Sequence, residues 1–305
     1  MKQQGFSWPV LVFIAPALLI YAVFSALPLL DTLRLGLYSA DEFGAVTFSG
    51  LANYQTILGD PQWSATFWNA MLNNLKFFGI HMLAQNPMGL LLAALLSLRN
   101  VRFAATYRTV FFLPTLLSVV IIGFVWQLIL SPLWGVSEGL LKVFGLQDWF
   151  EPWLGLESSA LITLSLMSVW QYVGIPMMLI YAAMIAIPDD IIEAAVVEGA
   201  SPWRIFYAIR LPLILPTLGL VTILTFVANF NAFDLIYTVK GGMAGPNYST
   251  DILGTLFYRT FFGYQSQVAS ATMGAAVATL MFLVILLGVA AYLLVVQRRL
   301  QRYAL

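Results

Sequence analysis

The 305-residue chain is 61% hydrophobic and 9% charged, with a formal net charge of zero, no cysteine and one histidine, His81. Soluble domains carry about 25% charged residues, so this is the composition of an integral membrane protein, and the charge balance gives no support to a nucleic-acid surface. Without cysteine there is no disulfide, thiolate metal site or thiol nucleophile, and one histidine excludes a multi-histidine metal site.

A bilayer core needs roughly 20 apolar residues of helix. Six stretches qualify, over residues 10–30, 75–98, 106–130, 160–187, 213–239 and 268–296. The expected fold class is therefore all-α, a polytopic membrane protein forming one transmembrane domain over residues 1–305. Lys2 precedes span one, but the apolar stretch is too long for a cleaved signal and no A-x-A site follows, so a retained helix is expected. The outer loops, 31–74 and 131–159, are rich in Trp, Gly, Pro and acids, and Trp134, Trp149 and Trp153 suit the outer interface better than sugar stacking.

Polar residues inside spans are costly and face a bundle interior or a cavity. Span two carries His81, Gln85 and Asn86 before Pro87, and span three carries Trp126 and Gln127. Span four carries Ser165, Ser168, Trp170, Gln171 and Tyr172, with Gly174 and Pro176 marking a kink. In span five Thr222, Thr225 and Asn229 share a helical face, Asn229 and Asn231 stand roughly 200° apart, and Asp234 lies near the outer end.

Between spans four and five the loop 188–211 reads EAA-x3-G-x9-I-x-LP, from Glu193, Ala194 and Ala195 through Gly199 to Ile209, Leu211 and Pro212. Asp189 and Asp190 after Pro188 would cap a first helix, Gly199 would break it, and Ser201-Pro202 would start a second. The alanines keep the surface low and Glu193 offers a carboxylate to a basic partner. An ordinary amphipathic interfacial loop is the plainer alternative.

Basic residues orient the chain. With the N-terminus inside, nine lie in inner segments (Lys2, Arg99, Arg102, Arg108, Arg204, Arg210, Arg298, Arg299, Arg302) and four in outer loops (Arg34, Lys142, Lys240, Arg259), with Lys76 at an outer edge. Both termini and the Glu193 loop are thus expected in the cytoplasm.

These features together resemble the permease subunits of carbohydrate-type ABC importers, the group of maltose and glycerol-3-phosphate systems. The resemblance covers nearly all of the chain. It rests on the Glu193 loop, on Ala15 to Leu18, on Gly50 to Tyr54, and on Arg108 with Phe111-Phe112-Leu113-Pro114. It continues through Asn231 to Tyr237, Ser249-Thr250 and Ala269-Ser270-Ala271, while Met243, Ala244 and Gly245 separate Gly241-Gly242 from Pro246, lengthening that turn. The resemblance implies a bacterial inner-membrane subunit that pairs with a second, homologous permease. It also implies two cytoplasmic ATPase subunits and a periplasmic or tethered binding protein. Glu193, Ala194, Ala195 and Gly199 would form the ATPase-coupling element.

No G-x4-GK[ST] loop is present, so ATP and Mg are expected on the partner subunits, with no cofactor, metal or catalytic residue here. The expected solute pathway comprises Gln85, Gln127, Trp170, Gln171, Tyr172, Asn229, Asn231 and Asp234, chiefly Asn229, Asn231, Trp170 and Gln171. Amides, hydroxyls and aromatic faces suit a sugar or polyol better than a phosphate. The same amides would equally serve to hold helices together, at about 1 kcal/mol each. The alternative function is an ion-coupled carrier, but the acids sit in loops or at span ends. An intramembrane enzyme would need an H-E-x-x-H or similar constellation, which is absent.

Overall fold

The structure, a computed structural model, describes residues 8–41, 44–98, 101–265 and 267–300. Lys2, Arg99 and Arg302, used above for orientation, lie outside them. Residues 1–65 with 257–282 form one compact unit, and residues 66–256 with 283–305 another.

In the first unit, α1 (Val12–Leu35) leads into an antiparallel hairpin, β1 (Tyr38–Ala40) and β2 (Val46–Phe48), with Tyr38 opposite Phe48. The short α2 (Ala52–Gly59) is tied to the approach to this hairpin by Asn53, whose Nδ2 donates to the carbonyls of Gly36 at 3.0 Å and Tyr38 at 2.7 Å.

Further helices include α3 (Pro61–Leu96), the pair α4 (Ala104–Leu116) and α5 (Val119–Leu130), and the pair α6 (Ala160–Tyr172) and α7 (Gly174–Ile185). Then come α8 (Asp189–Val197), α9 (Pro202–Ile205), α10 (Leu211–Phe230), α11 (Asp234–Lys240), α12 (Leu253–Phe262) and α13 (Ala271–Gln297). Among the described residues, four helical stretches can cross a membrane by length and composition, or up to six if each bent pair is one span.

The expected spans change in several places. Span two begins at Pro61 instead of residue 75, because Asp60 Oδ1 accepts the N–H groups of Gln62 and Trp63, both at 3.0 Å. Its first turns carry asparagines, which hide the helix from a search for apolar runs. Span six begins at Ala271, where Ser270 Oγ accepts the Met273 N–H at 3.3 Å. Span three is not one straight rod: it turns by 96° at Leu117 and Ser118, whose ψ angles of 145° and 134° are extended. Span four bends by 43° at Val173, where Gly174 and Pro176 led one to expect a kink.

Prolines mark the local irregularities. Widened π turns at Ala22–Ala26, His81–Gln85 and Phe206–Arg210 each end one residue before an X-Pro pair, Leu27-Pro28, Asn86-Pro87 and Leu211-Pro212. In each case the residue before the proline donates one step farther back, as Asn86 N–H does to the His81 carbonyl. A proline ring crowds the carbonyl four residues earlier, and widening the turn relieves that clash without ending the helix.

The second unit has two cores. One gathers Phe77, Leu161, Leu164, Met167, Leu235 and Ile236. The other gathers Ala93, Met177, Ile180, Met184, Ile214 and Val221, with Ile192 and Phe206 packed against it. Span two and α7 approach closely because residue 89 is glycine: a Cβ there would lie 2.9 Å from Pro176 Cβ. Trp153 packs on the first core beside Phe150, whereas Trp134 and Trp149 are exposed.

Candidate functional site

The loop after span four folds by local rules. Pro188 occupies the position before α8, so Asp189 and Asp190 are first-turn residues. There they act on the positive end of the helix dipole. At the other end Gly199 has φ +79°, its N–H donates to the Val196 carbonyl at 2.9 Å, and the Ala200 N–H donates to that of Ala195 at 2.9 Å. This pair of bonds is the Schellman ending, which favours glycine in the left-handed position. Ser201 then caps α9, its hydroxyl accepting the Arg204 N–H at 3.3 Å, with Pro202 in the first turn.

The two helices turn distinct faces to their surroundings. Ala195 and Ile205 are buried and Ile192 is half-buried on the span core, while Glu193 and Ala194 are exposed. Val197 is 88% exposed and Trp203 72%, with the Trp203 ring stacked on Tyr207 at 5.9 Å. The loop thus offers an apolar, aromatic surface beside an exposed carboxylate. Arg210 Nη1 donates to Ser97 Oγ at 3.3 Å, tying the start of span five to the end of span two.

A cavity of about 460 Å³ opens among spans two, four and five. Its polar wall consists of His81, Gln85, Ser168, Tyr172, Thr225, Asn229, Asn231 and Asp234, set among apolar side chains such as Phe77, Ile175 and Phe233. Asn229 and Asn231 both reach it because α10 ends at Phe230: the break at residues 231–233 re-aims the chain, so the 200° helical separation no longer applies. The π turn at His81–Gln85 likewise brings both of its end residues to the wall.

Six of the wall residues have a supporting side-chain bond. His81 bonds through Nδ1 to the Phe77 carbonyl at 2.8 Å and through Nε2 to Ser168 Oγ at 3.0 Å, which ties span two to span four. Gln85 Nε2 donates to the Tyr172 carbonyl at 3.4 Å, and Thr225 Oγ1 donates to Asn86 Oδ1 at 3.2 Å. Asn229 Nδ2 donates to the Thr225 carbonyl at 2.7 Å, while Asn229 Oδ1 is buried without a partner. Asn231 Nδ2 donates to the Val227 carbonyl at 3.0 Å. The lining includes one carboxylate, Asp234, and no lysine or arginine.

Of the eight pathway residues read from the sequence, five line this cavity: Gln85, Tyr172, Asn229, Asn231 and Asp234. The other three stand elsewhere. Trp170 packs edge-on against Trp126 at 5.6 Å. Gln171 is fully buried between spans three and four. Gln127 donates to the Val239 carbonyl at 2.7 Å and lines a separate cavity of about 280 Å³ with Lys240, whose Nζ donates to the Leu154 carbonyl.

Residues that sequence reading passed over hold the cavity's outer end. Asn74 Nδ2 donates to the Asn229 carbonyl at 2.9 Å, and its Oδ1 accepts the Leu253 N–H at 2.8 Å. One residue earlier, Asn73 donates to the carbonyls of Ser249 and Asp251, and a turn before it Asn69 donates to that of Tyr248. These bonds fix a loop in which Ala244, Asn247 and Tyr248 have positive φ. The only sequence signal was the i, i+4 spacing of Asn69 and Asn73, which puts two amides on one helical face with Asn74 beside them.

Long apolar helices, a polar cavity inside them and a helix–glycine–helix loop between two spans define a membrane permease. The chain belongs to the family of binding-protein-dependent transport system inner membrane components, whose description it matches over residues 85–302. It is similar to the probable ABC transporter permease protein YurN of Bacillus subtilis (strain 168), with 32% identity over 86% of this chain and 89% of the relative. It is also similar to the lactose transport system permease protein LacF of Rhizobium radiobacter, with 29% identity over 90% of each. Its fold matches a crystal structure of a bacterial ABC transporter involved in the import of the acidic polysaccharide alginate, at a TM-score of 0.75 and 22% identity over 94% of this chain and 96% of that one. The chain is thus a multi-pass inner-membrane permease of the ABC importer type, as the resemblance implied, and its all-α polytopic fold is the expected one.

Proposed function

We propose that the chain conducts an uncharged glycoside or polyol by alternating access, driven by separate ATPase subunits that dock on residues 188–211. The observation that carries the substrate class is the cavity wall: amides, hydroxyls and aromatic rings, one carboxylate and no cation. Such a wall exchanges hydrogen bonds with hydroxyl groups and offers nothing to neutralise a phosphate. Its volume of about 460 Å³ lies inside the range of small-molecule sites, about 300–1,000 Å³. The lactose system of the relative LacF agrees with that chemistry.

In this reading a homologous permease completes the pathway, a binding protein delivers solute, and ATP and Mg reside on the ATPases. The exposed Glu193, Ala194, Val197 and Trp203 meet the ATPase, and Gly199 sets the corner that presents them. The whole of residues 1–305 serves as one transmembrane permease domain.

The test is uptake of labelled sugars by liposomes holding the assembled transporter, with wild-type Glu193 or Glu193→Lys. Uptake that needs ATP and binding protein, and falls to background in the variant while the permease stays folded, supports the reading. ATP-independent uptake indifferent to the substitution would replace it with an ion-coupled carrier.

A further inference from the structure

The bends of spans three and four interlock. Each bend exposes carbonyls that a straight helix would satisfy. Leu117 and Ser118 are extended, and Pro176 has no N–H for the carbonyl of Tyr172 four residues before it. Side chains from neighbouring spans meet them. Gln171 Nε2 donates to the Leu117 carbonyl at 3.2 Å, Thr115 Oγ1 donates to the Gln171 carbonyl at 3.0 Å, and Gln85 Nε2 reaches that of Tyr172 at 3.4 Å. Gly174 closes the joint: a Cβ there would sit 2.8 Å from both the Phe111 carbonyl oxygen and Phe112 Cα. Gln171 is 0% exposed, and its Oε1 is buried with no partner.

The joint divides span four into halves with different neighbours. On one side α6 contributes the polar Ser168 and Tyr172 to the cavity wall, where α7 contributes only the apolar Ile175, Pro176 and Leu179. On the other, α7 buries Met177, Ile180 and Met184 in the core that also receives Ile192 of α8. A displacement of α8 therefore enters α7 through packed side chains, and it reaches the polar part of the cavity wall on α6 across Val173.

We propose that Gln171 is a positioning residue that locks the bend of span four to the bend of span three, so that movement of the coupling helix turns α6 at the cavity instead of being absorbed by flexing at Val173. This gives Gln171 a role distinct from solute contact, and it rests on the importer reading above. A buried amide suits the task. Its bonds hold one arrangement, and its unpartnered Oε1 can accept a bond in another, whereas purely apolar contacts would let the two bends slip past each other.

The experiment uses the complete transporter in liposomes and compares wild type with Gln171→Met, which keeps length without the donor, and Thr115→Val, which keeps shape without the hydroxyl. ATP hydrolysed per solute transported is measured alongside KM for the solute-loaded binding protein. Loss of one buried bond predicts a rise in that ratio of roughly tenfold for Gln171→Met and less for Thr115→Val, with KM unchanged. Uptake and ATPase falling in proportion, at constant ratio, would overturn the proposal alone. So would a raised KM at constant ratio, which would return Gln171 to solute binding. A variant complex that does not assemble leaves the decision to the other substitution, since either bond tests the same lock. Wild-type complex without ATP-dependent uptake would overturn the importer reading and the proposal with it.

Discussion

The glycine corner of the loop at residues 188–211 and the wall of the cavity lie toward different ends of span four and are held by different kinds of bond. The Gly199 corner is closed by backbone bonds spanning three and five residues, from Gly199 to Val196 and from Ala200 to Ala195. The cavity's supports reach much farther: His81 to Ser168 across 87 residues, Thr225 to Asn86 across 139, and Asn74 to Asn229 across 155. A locally closed element keeps its shape while it moves as a body, which suits a part that transmits force. A wall assembled from three spans changes shape whenever one of them turns, which suits a pathway that must open and close.

Substitutions in the two regions should therefore fail differently. The largest loss of stability is expected from Asn74→Leu. It removes the acceptor for the Leu253 N–H and the donor to the Asn229 carbonyl, leaving buried backbone groups unsatisfied at about 1–3 kcal/mol each. Thermal unfolding of the purified protein in detergent should show a clearly lowered midpoint. An unchanged midpoint would break the claim that distant amides hold the cavity.

Gly199→Val should do the opposite. A β-branched residue at φ +79° costs about 1–2 kcal/mol, but only within the loop. The unfolding midpoint should stay close to wild type while uptake falls roughly tenfold, as expected when about 1.4 kcal/mol is drawn from the docked state. Parallel loss of midpoint and uptake would mean that the loop is part of the cooperative core.

Asn229→Ala sharpens the comparison further. The side chain bonds only within its own helix, to Thr225, while its Oδ1 lies buried beside the cavity. Transport at low solute should fall by about 1 kcal/mol of lost interaction, roughly fivefold, with assembly and basal ATPase unchanged. Normal transport would assign the amide to helix packing.

The same contrast decides what could be read from the sequence. The loop was legible because its signals are local: a proline and two acids at the start, a glycine after Glu198, then Ser201-Pro202. The span count, the kink near Gly174 and the family followed from apolar length and motif spacing. The start of span two at Pro61 was not legible, because Asn69, Asn73 and Asn74 look like loop residues until their partners at 229 and 248–253 are in place. Nor was the 96° turn in span three, since Leu117 and Ser118 carry no strong breaker. In the cavity, side-chain chemistry picked plausible residues, but helical phase alone could not place Trp170 and Gln171 away from the wall or bring Asn231 onto it. The break after Phe230, which does so, is a tertiary decision.

An effect of similar size is expected in charge selection. Asp234 stands in the first turn of α11, where an acid is favoured by the helix dipole whatever the solute. It is also the one carboxylate in a lining that contains no lysine or arginine. If the dipole were its whole purpose, Asp234→Asn would lower stability slightly and leave selectivity alone. If the charge also repels anions, the substitution should favour a uronide over the matching neutral sugar. A unit charge at about 4 Å in a watery site contributes about 1 kcal/mol, so the uptake ratio should shift roughly fivefold. Competition between the two sugars in the same liposomes measures that ratio directly and cancels any change in assembly or coupling. A shifted ratio makes Asp234 part of the pathway. A constant one confines it to the architecture of α11, and the preference for neutral solutes then rests on the absence of cations alone.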